Sequence, residues 1–185
     1  LVKVPEGWQG AEENGCLLPI QKREDGLYAE ANIPSCGWAT LKPAGVYKEE
    51  TAVKASESVL ENELLSVSIN AYGEITRILD KETGRDWTAG PCNRLKMYQD
   101  IPGHYDAWDI DSVYMQNPVE LPEKAVFLSA ESGPLFGAVR FSRKIHDSEL
   151  IQTILLRKGS RTVEFRTKVQ WKETHKLLKV EFPVQ

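Results

Sequence analysis

Apolar and polar residues alternate along much of the chain with the two-residue period of half-buried β-strands. Residues 65–70 alternate strictly, and a turn at residues 71–74 separates them from a second strand candidate at residues 75–79. The next turn ends in Gly84, which can adopt a positive φ angle. The pattern therefore predicts a β-meander in the middle of the chain.

The C-terminal half contains longer strand candidates. They lie at residues 137–145, 150–156, 163–171 and 178–184. No amphipathic helix follows a strand, and 13 Gly and 10 Pro are scattered along the chain, so long helices have little room. The sequence thus predicts an all-β protein whose main unit is an antiparallel β-sandwich.

A polar stretch at residues 48–58, without Gly or Pro, marks a predicted domain boundary. We divide the chain into a small β segment or linker at residues 1–54 and an antiparallel β-sandwich at residues 55–185. The first segment offers only short strand candidates, at residues 16–20, 27–31 and 38–41. These are too few to close a core, so we expect this segment to complete a neighbouring β layer.

The charge of the chain restricts its partners. The 185 residues include 23 Lys and Arg against 27 Asp and Glu, which gives a formal net charge of −4. Nucleic acids and anionic membrane surfaces attract basic proteins, so neither is an expected partner. No apolar run reaches the roughly 18–20 residues of a membrane-spanning helix, and the N-terminus lacks the apolar core of a signal peptide.

Three cysteines, Cys16, Cys36 and Cys92, are an odd number and form no CxxC pair. They make a poor disulfide framework and a poor zinc site. Unpaired thiols are typical of a reducing compartment, so the sequence predicts a cytoplasmic location.

The sequence lacks the residue spacings of several known catalytic motifs. His104, His146 and His175 lie far apart and have no HxH or HExxH spacing, so we expect no histidine metal site. A GxSxG elbow, a phosphate-binding GxxxxGK[ST] loop and a GxGxxG turn are absent from the sequence.

Residues 103–114 differ from the rest of the chain because they combine three carboxylates with three large aromatic side chains. Aromatic faces stack on the C–H faces of sugar rings, and carboxylates accept hydrogen bonds from sugar hydroxyls. Two carboxylates about 5–5.5 Å apart could also serve a retaining glycosidase. Alternatively, the aromatic side chains anchor a loop whose aspartates cap turns. A calcium loop is a weaker alternative, because the Gly and Glu of an EF-hand are missing.

Four short motifs follow one another along the chain. They are IPSCGWAT at residues 33–40, LENELL at residues 60–65 with DKETGR at residues 80–85, YDAWDID at residues 105–111, and QWKETHKLLKVEFPV at residues 170–184. In this order they resemble motifs in the β-domains of the α-mannosidases of glycoside hydrolase family 38. Cys36 and Trp38 in the first motif depart from the family pattern.

The resemblance implies a fold and a role. It implies that the chain is part of a large galactose-mutarotase-like sandwich, preceded by a short β segment. Such enzymes hydrolyse α-mannosides with retention, using a zinc ion and an aspartate nucleophile in an N-terminal α/β barrel. No part of that machinery is recognisable here, so the chain is expected to be a middle fragment that is inactive alone. The fragment itself would hold no cofactor, whereas zinc is implied for the parent enzyme.

The resemblance also implies partners and site residues. The sandwich of such enzymes packs on the catalytic domain and contributes to the rim of the active site. Tyr105, Asp106, Trp108 and Asp109 are therefore candidate substrate-binding residues. The implied partners are the chain's own catalytic domain and a mannose-containing oligosaccharide. His175 is expected to form hydrogen bonds between strands.

Two other functions stay open on the sequence alone. One is an autonomous carbohydrate-binding module that uses residues 105–114, and the other is a purely structural scaffold between domains. The sandwich is expected to be incomplete after Val184, which would leave an apolar face or strand edge open. Such surfaces pair with other chains, so a homo-oligomer is an expected state.

Overall fold

The computed structural model describes residues 1–47, 50–105 and 108–185, and these residues fold almost entirely as β-strands. The first strands are β1 (Val2–Val4), β2 (Gly10–Glu13), β3 (Cys16–Leu18), β4 (Ile20–Arg23), β5 (Gly26–Ala29) and β6 (Lys42–Ala44). The middle strands are β7 (Lys54–Ala55), β8 (Val59–Glu61), β9 (Leu65–Ile69), β10 (Ile75–Asp80), β11 (Arg94–Gln99) and β12 (Pro118–Val119). The last strands are β13 (Val126–Glu131), β14 (Phe136–Ile145), β15 (Ser148–Arg157), β16 (Val163–Gln170) and β17 (Lys176–Glu181).

Helical structure in the described part of the chain is limited to the 3-10 turn Tyr114–Gln116. Every strand pair of the sheets is antiparallel. The predicted all-β, antiparallel fold class is therefore confirmed.

The main sandwich consists of two facing four-stranded sheets. One has the strand order β10-β9-β8-β7 and the other β13-β14-β15-β16. Burial alternates along β9 and β14, as the hydrophobic pattern predicts for strands with one face in the core. The residues that fill the space between the sheets are Val53, Leu60, Leu65, Val67, Ile69, Ile75, Cys92, Val139, Phe141, Ile154 and Leu156.

A third sheet, with the order β12-β11-β17, extends the layer that faces β14 and β15. Met97 on β11 packs with Ile145 and Leu150, and Leu178 on β17 contacts the same cluster. Residue 178 pairs directly with residue 97, so both side chains point into the sandwich. The loop that carries residues 105–111 joins β11 to β12 and therefore leaves the fold at the end of this third sheet.

The sandwich is open along one side, where β16 and β17 are the last strands of their sheets. Val169 near the end of β16 and Trp171 just after this strand are 41% and 42% exposed. Val180 and Phe182 at the facing strand are 46% and 47% exposed. The homo-oligomer that the sequence suggested through such a surface stays a prediction.

The N-terminal region forms two small sheets, with the orders β1-β5-β4 and β3-β2-β6. Val4, Ala11 and Ala29 are buried between them, and Trp8 packs against this cluster. The region thus has a small core of its own, which corrects the expectation that its strands are too few to close one. The boundary between residues 54 and 55 stays a prediction.

One strand candidate of this region is wrong. Residues 38–41 do not pair with a neighbouring strand, and the strand instead begins at residue 42 as β6. Immediately upstream, Cys36 has a positive φ of 54°, and the Gly37 N–H donates to the Pro34 carbonyl. This turn reorients the chain, so the apolar residues after it fall outside the ladder. Trp38 is 82% exposed.

The buried side chain of Gln21 connects the N-terminal region to the sandwich. The Gln21 Oε1 atom accepts the N–H groups of Leu135 and Phe136, each at 3.0 Å. Its Nε2 atom donates to the Phe136 carbonyl at 2.9 Å and to Glu131 at 3.0 Å. All four hydrogen-bonding positions of the amide are used, so this contact fixes β4 against the start of β14.

The LENELL and DKETGR motifs form one structural cluster at the end of the sandwich. Leu60 is fully buried in the core, and Lys81 donates to Glu61 and to the Asn62 carbonyl. The Asp80 Oδ1 atom accepts the N–H groups of the two residues at positions 82 and 83, which holds the pKa of Asp80 below its ordinary value. The residues of these two motifs therefore pack in the core and stabilise turns.

The WKETH segment has a structural role as well. β14 and β15 pair over their full length and turn at His146, which has a positive φ of 56°. Glu173 accepts the Asp147 N–H at 3.0 Å and the Ser148 hydroxyl at 2.7 Å. These bonds lower the pKa of Glu173, with the Ser148 hydroxyl as the largest cause. The glutamate thus closes the β-hairpin.

Candidate functional site

The β11–β12 loop turns sharply at the candidate residues. Tyr105 has a φ of 54°, in the left-handed region that non-glycine residues rarely adopt. Its carbonyl accepts the N–H groups of Trp108 at 2.9 Å and Asp109 at 3.0 Å. Further along, the Asp111 Oδ1 atom accepts the Val113 N–H at 3.1 Å. The segment is therefore held by local backbone bonds, with one aspartate capping a turn.

The candidate side chains point away from the rest of the chain. Tyr105 is 77% exposed and Trp108 is 88% exposed, and Asp109 is exposed too. Asp106, the fourth candidate, lies outside the described residues. The structure thus places three of the four sequence candidates on one loop.

Of the three aromatic residues in this loop, only Tyr114 anchors it to the sandwich, as the structural alternative proposed for all three. The Tyr114 ring packs edge-on against Tyr98 at 5.1 Å, and its hydroxyl accepts a hydrogen bond from Lys179. The Lys179 ammonium lies 4.2 Å from the centre of the same ring. Because Tyr114 fixes the base of the loop, Tyr105 and Trp108 are free of that role within this chain.

Several described residues of the loop line an open depression. It has a volume of about 170 Å³ and is lined by Gln99, Ile101, Asp111, Val113, Tyr114 and Asn117. Tyr105, Trp108 and Asp109 do not line this depression. A site that encloses a sugar from both sides would therefore need a second surface opposite these exposed side chains.

The described residues contain no group of three or more His, Cys, Asp or Glu side chains that could hold a metal ion. Zinc sites require three or four such ligands in close approach, so the residues described here do not fit a zinc ion. The histidines lie apart: His146 Nε2 contacts the Glu120 carbonyl at 3.1 Å, while the His175 backbone carbonyl accepts the Asp100 N–H at 2.9 Å. His146 and His175 both have a positive φ, so they occupy turns.

The three cysteines are free thiols. Cys16 and Cys36 are exposed, and Cys92 is buried in the sandwich core. Burial raises the pKa of the Cys92 thiol, which makes it less reactive at neutral pH.

A larger groove, of about 700 Å³, lies next to the third sheet and was missed by the sequence analysis. Its wall combines charged and aromatic side chains, among them Tyr72, Glu74, Arg94, Lys96, Tyr98 and Arg143. The sequence contained one signal for it. Arg143 stands in the alternation of residues 137–145 at an inward position, between the buried Phe141 and Ile145, where an apolar residue is the norm.

Among the residues that the structure describes, no helix is long and apolar enough to cross a membrane. The class of the protein follows from comparison with known proteins.

The fold is shared with a solved enzyme. The crystal structure of an alpha-mannosidase from Enterococcus faecalis matches 98% of this chain with a TM-score of 0.59, at 13% sequence identity. The match covers 24% of that enzyme. At this identity the similarity shows the β architecture alone.

Sequence comparison gives the family. The glycosyl hydrolases family 38 C-terminal domain matches residues 60–185, which is more than half of the chain. The chain therefore belongs to the glycosyl hydrolase family 38 C-terminal domain family. The resemblance seen in the four motifs is confirmed.

Two curated relatives are similar over most of the chain. Human alpha-mannosidase 2C1 is 29% identical over an alignment of 170 residues, and the match covers 85% of this chain and 16% of the human protein. Alpha-mannosidase G of Dictyostelium discoideum is 30% identical over an alignment of 146 residues, and the match covers 70% of this chain and 13% of that protein. The chain thus spans a small part of the length of these relatives.

Proposed function

We propose that this chain is a non-catalytic β-sandwich portion of a retaining, zinc-dependent α-mannosidase that hydrolyses terminal α-mannosides. In this proposal the sandwich packs on the catalytic domain, and the β11–β12 loop lines part of the sugar site. Membership of the family supports it, as do relatives named alpha-mannosidases of which the chain covers 16% and 13%.

The observation that carries the proposed rim role is the outward position of Trp108. A tryptophan that is 88% exposed adds almost nothing to the stability of its own fold, since burial is the source of its large hydrophobic contribution. It offers a flat apolar face that fits the C–H face of a sugar ring. Tyr105, 77% exposed and bonded through its carbonyl to the same turn, stands beside it.

Each rim residue has a proposed task. Trp108 stacks on the sugar, the carboxylate of Asp109 accepts a hydrogen bond from a sugar hydroxyl, and the phenol of Tyr105 closes the side of the site. Asp106 is proposed to belong to the same rim. The Tyr105 carbonyl orients the segment by accepting two backbone N–H groups, at 2.9 and 3.0 Å.

Zinc in the proposed enzyme would be held by residues outside the described part of this chain, which offers no cluster of ligands. A metal of this kind polarises substrate oxygens. The residues described here contribute binding and orientation of the sugar and no catalytic step.

We also propose a cytoplasmic location. The support is that all three cysteines, including the exposed Cys16 and Cys36, are free thiols, as is usual in a reducing compartment.

The purified 185-residue chain should not hydrolyse an aryl α-mannoside, with or without added zinc. The reason is that its described residues bring together neither a metal site nor an acid and nucleophile around a cavity. The measurement is release of the aryl group over hours, with a longer enzyme that contains this chain as the active control. Zinc-dependent turnover by the isolated chain would refute the non-catalytic assignment.

A further inference from the structure

Arg143 is a buried cation without an ion-pair partner among the described residues. It is only 5% exposed and lies on the inward face of β14. Its Nε–H donates to the Glu123 carbonyl and its Nη2–H to the Leu121 carbonyl, both at 3.1 Å. Burial lowers the pKa of Arg143, although an arginine stays charged at neutral pH. Burying a charge is unfavourable unless polar groups surround it.

The hydrogen-bonding capacity of this guanidinium is only partly used. It has five N–H donors, of which two bond to the carbonyls of residues 121 and 123. The ring of Tyr72 lies 5.7 Å from the Arg143 Cζ atom and covers one face of the cation. Arg143 also lines the groove of about 700 Å³ beside the third sheet, so its remaining donors have space in which to meet a ligand.

The groove wall around Arg143 presents acceptors as well as donors. Glu74 Oε2 accepts the Asn70 Nδ2–H at 2.9 Å, which leaves Glu74 Oε1 without a partner in the described structure. Tyr72 and Tyr98, whose hydroxyls can donate and accept, line the same groove. Lys96 lines it too and is paired with Glu181 at 2.5 Å.

The mixed signs of this wall select the chemistry of the ligand. A phosphate or free carboxylate would be attracted by Arg143 and Arg94 and repelled by Glu74 and Glu120, which all line the groove. A simple cation would meet the opposite conflict. A neutral molecule with several hydroxyl groups satisfies both, because each hydroxyl accepts from the guanidinium or donates to a carboxylate. The tyrosine rings add faces for the C–H groups of a sugar.

We propose that the Arg143 groove is a saccharide-binding site for one neutral sugar unit, separate from the β11–β12 loop rim. Arg143 donates to sugar hydroxyls, Glu74 accepts from one, and Tyr72 and Tyr98 form the walls. The volume of about 700 Å³ lies within the usual range for small-molecule sites, roughly 300–1,000 Å³. This inference does not rest on the proposed function, since the four residues assigned to the sugar lie outside the β11–β12 loop.

The test is titration of the ¹⁵N-labelled 185-residue chain with methyl α-mannoside and α-mannobiose, and separately with inorganic phosphate, followed by NMR. We expect saturable shifts of the Arg143 Nε–H signal and of the backbone amides of residues 72–74 and 94–98. Glu74→Gln keeps an oxygen that accepts from Asn70 but replaces the unpaired carboxylate oxygen with an NH2 group. It should therefore raise the dissociation constant for the sugar about tenfold. Glu57→Gln, at an exposed glutamate outside the groove, is the matched control and should not change it.

Three outcomes would overturn this inference. The first is the absence of shifts with either sugar. The second is a larger response of the groove to phosphate than to sugar, which would make it an anion site. The third is a set of shifts confined to the loop and abolished by Trp108→Ala, which would support the rim proposal while refuting the groove. If groove shifts survive Trp108→Ala and weaken in Glu74→Gln, the inference stands whatever the role of the loop.

Discussion

Replacing Asn62 with alanine should lower the free energy of unfolding of this chain by about 4 kcal/mol, because it leaves buried backbone groups without partners. Asn62 is 2% exposed. Its Oδ1 atom accepts the N–H groups of Leu64 at 2.9 Å and Leu65 at 2.7 Å. Its Nδ2 atom donates to the carbonyls of Arg157 at 2.7 Å and Ser160 at 2.8 Å.

These four bonds connect the turn between β8 and β9 to the turn between β15 and β16, across the two facing sheets. Asn62 is almost fully buried, so its replacement by alanine leaves these backbone groups away from bulk water. Each backbone group left unsatisfied costs roughly 1–3 kcal/mol, and partial relaxation of the two turns reduces the total. Neighbouring bonds, such as that from the Gly159 N–H to Glu63 at 2.7 Å, should weaken with it.

Urea unfolding followed by circular dichroism measures this effect. Asn117→Ala is the matched control. Asn117 is exposed and its side chain makes no hydrogen bond within the described residues, so this change should alter stability by less than about 0.5 kcal/mol. An Asn62→Ala chain as stable as the control would mean that the LENELL motif has another role than this cross-sheet connection.

The second large effect is expected on catalysis. In a longer enzyme that contains this chain, Asp109→Asn should lower kcat/KM for an α-mannoside by about tenfold to over a hundredfold. The substitution keeps the shape of the side chain but removes its charge, and loss of a hydrogen bond to a charged group costs about 1.5–3 kcal/mol. Because Asp109 is exposed, the melting temperature should stay unchanged.

Asp109→Asn is a sharper probe than Trp108→Ala, which would reduce activity whether the indole contacts sugar or packs on the catalytic domain. Asp147→Asn is the control: Asp147 is an exposed aspartate at the β14–β15 turn, far along the chain from the loop. A lowered melting temperature together with kcat/KM within about twofold of the parent would assign Asp109 to turn formation instead.

The strands of the sandwich were predictable because burial on one face imposes a strict two-residue period. Residues 65–70 and 137–145 became β9 and β14 nearly residue for residue. The strand predicted at residues 38–41 is absent because the turn at Cys36 depends on backbone geometry, which the apolar pattern does not encode. The small N-terminal core also escaped prediction, since Val4, Ala11 and Ala29 are brought together by pairings between distant strands.

The two candidate sites also differ in how far the local sequence predicts them. The composition of residues 105–111 identified the loop. The exposure of Trp108, however, depends on which aromatic side chain anchors the loop. That side chain is Tyr114, which contacts Tyr98 and Lys179. The groove was missed because its wall comes from β11, the turn after β9 and the inward face of β14, which only the folded chain brings together. Arg143 at an inward strand position was its one local signal.

The central claim, that the β11–β12 loop faces sugar, is tested most directly by oxidative footprinting of tryptophans in a longer enzyme that contains this chain. Trp108 and Trp38, 88% and 82% exposed in this chain, form a matched pair. We predict that saturating methyl α-mannoside slows oxidation of Trp108 severalfold and leaves Trp38 unchanged. Oxidation of Trp108 at the same rate with and without the sugar, whether fast or already slow from packing on the catalytic domain, would contradict the claim.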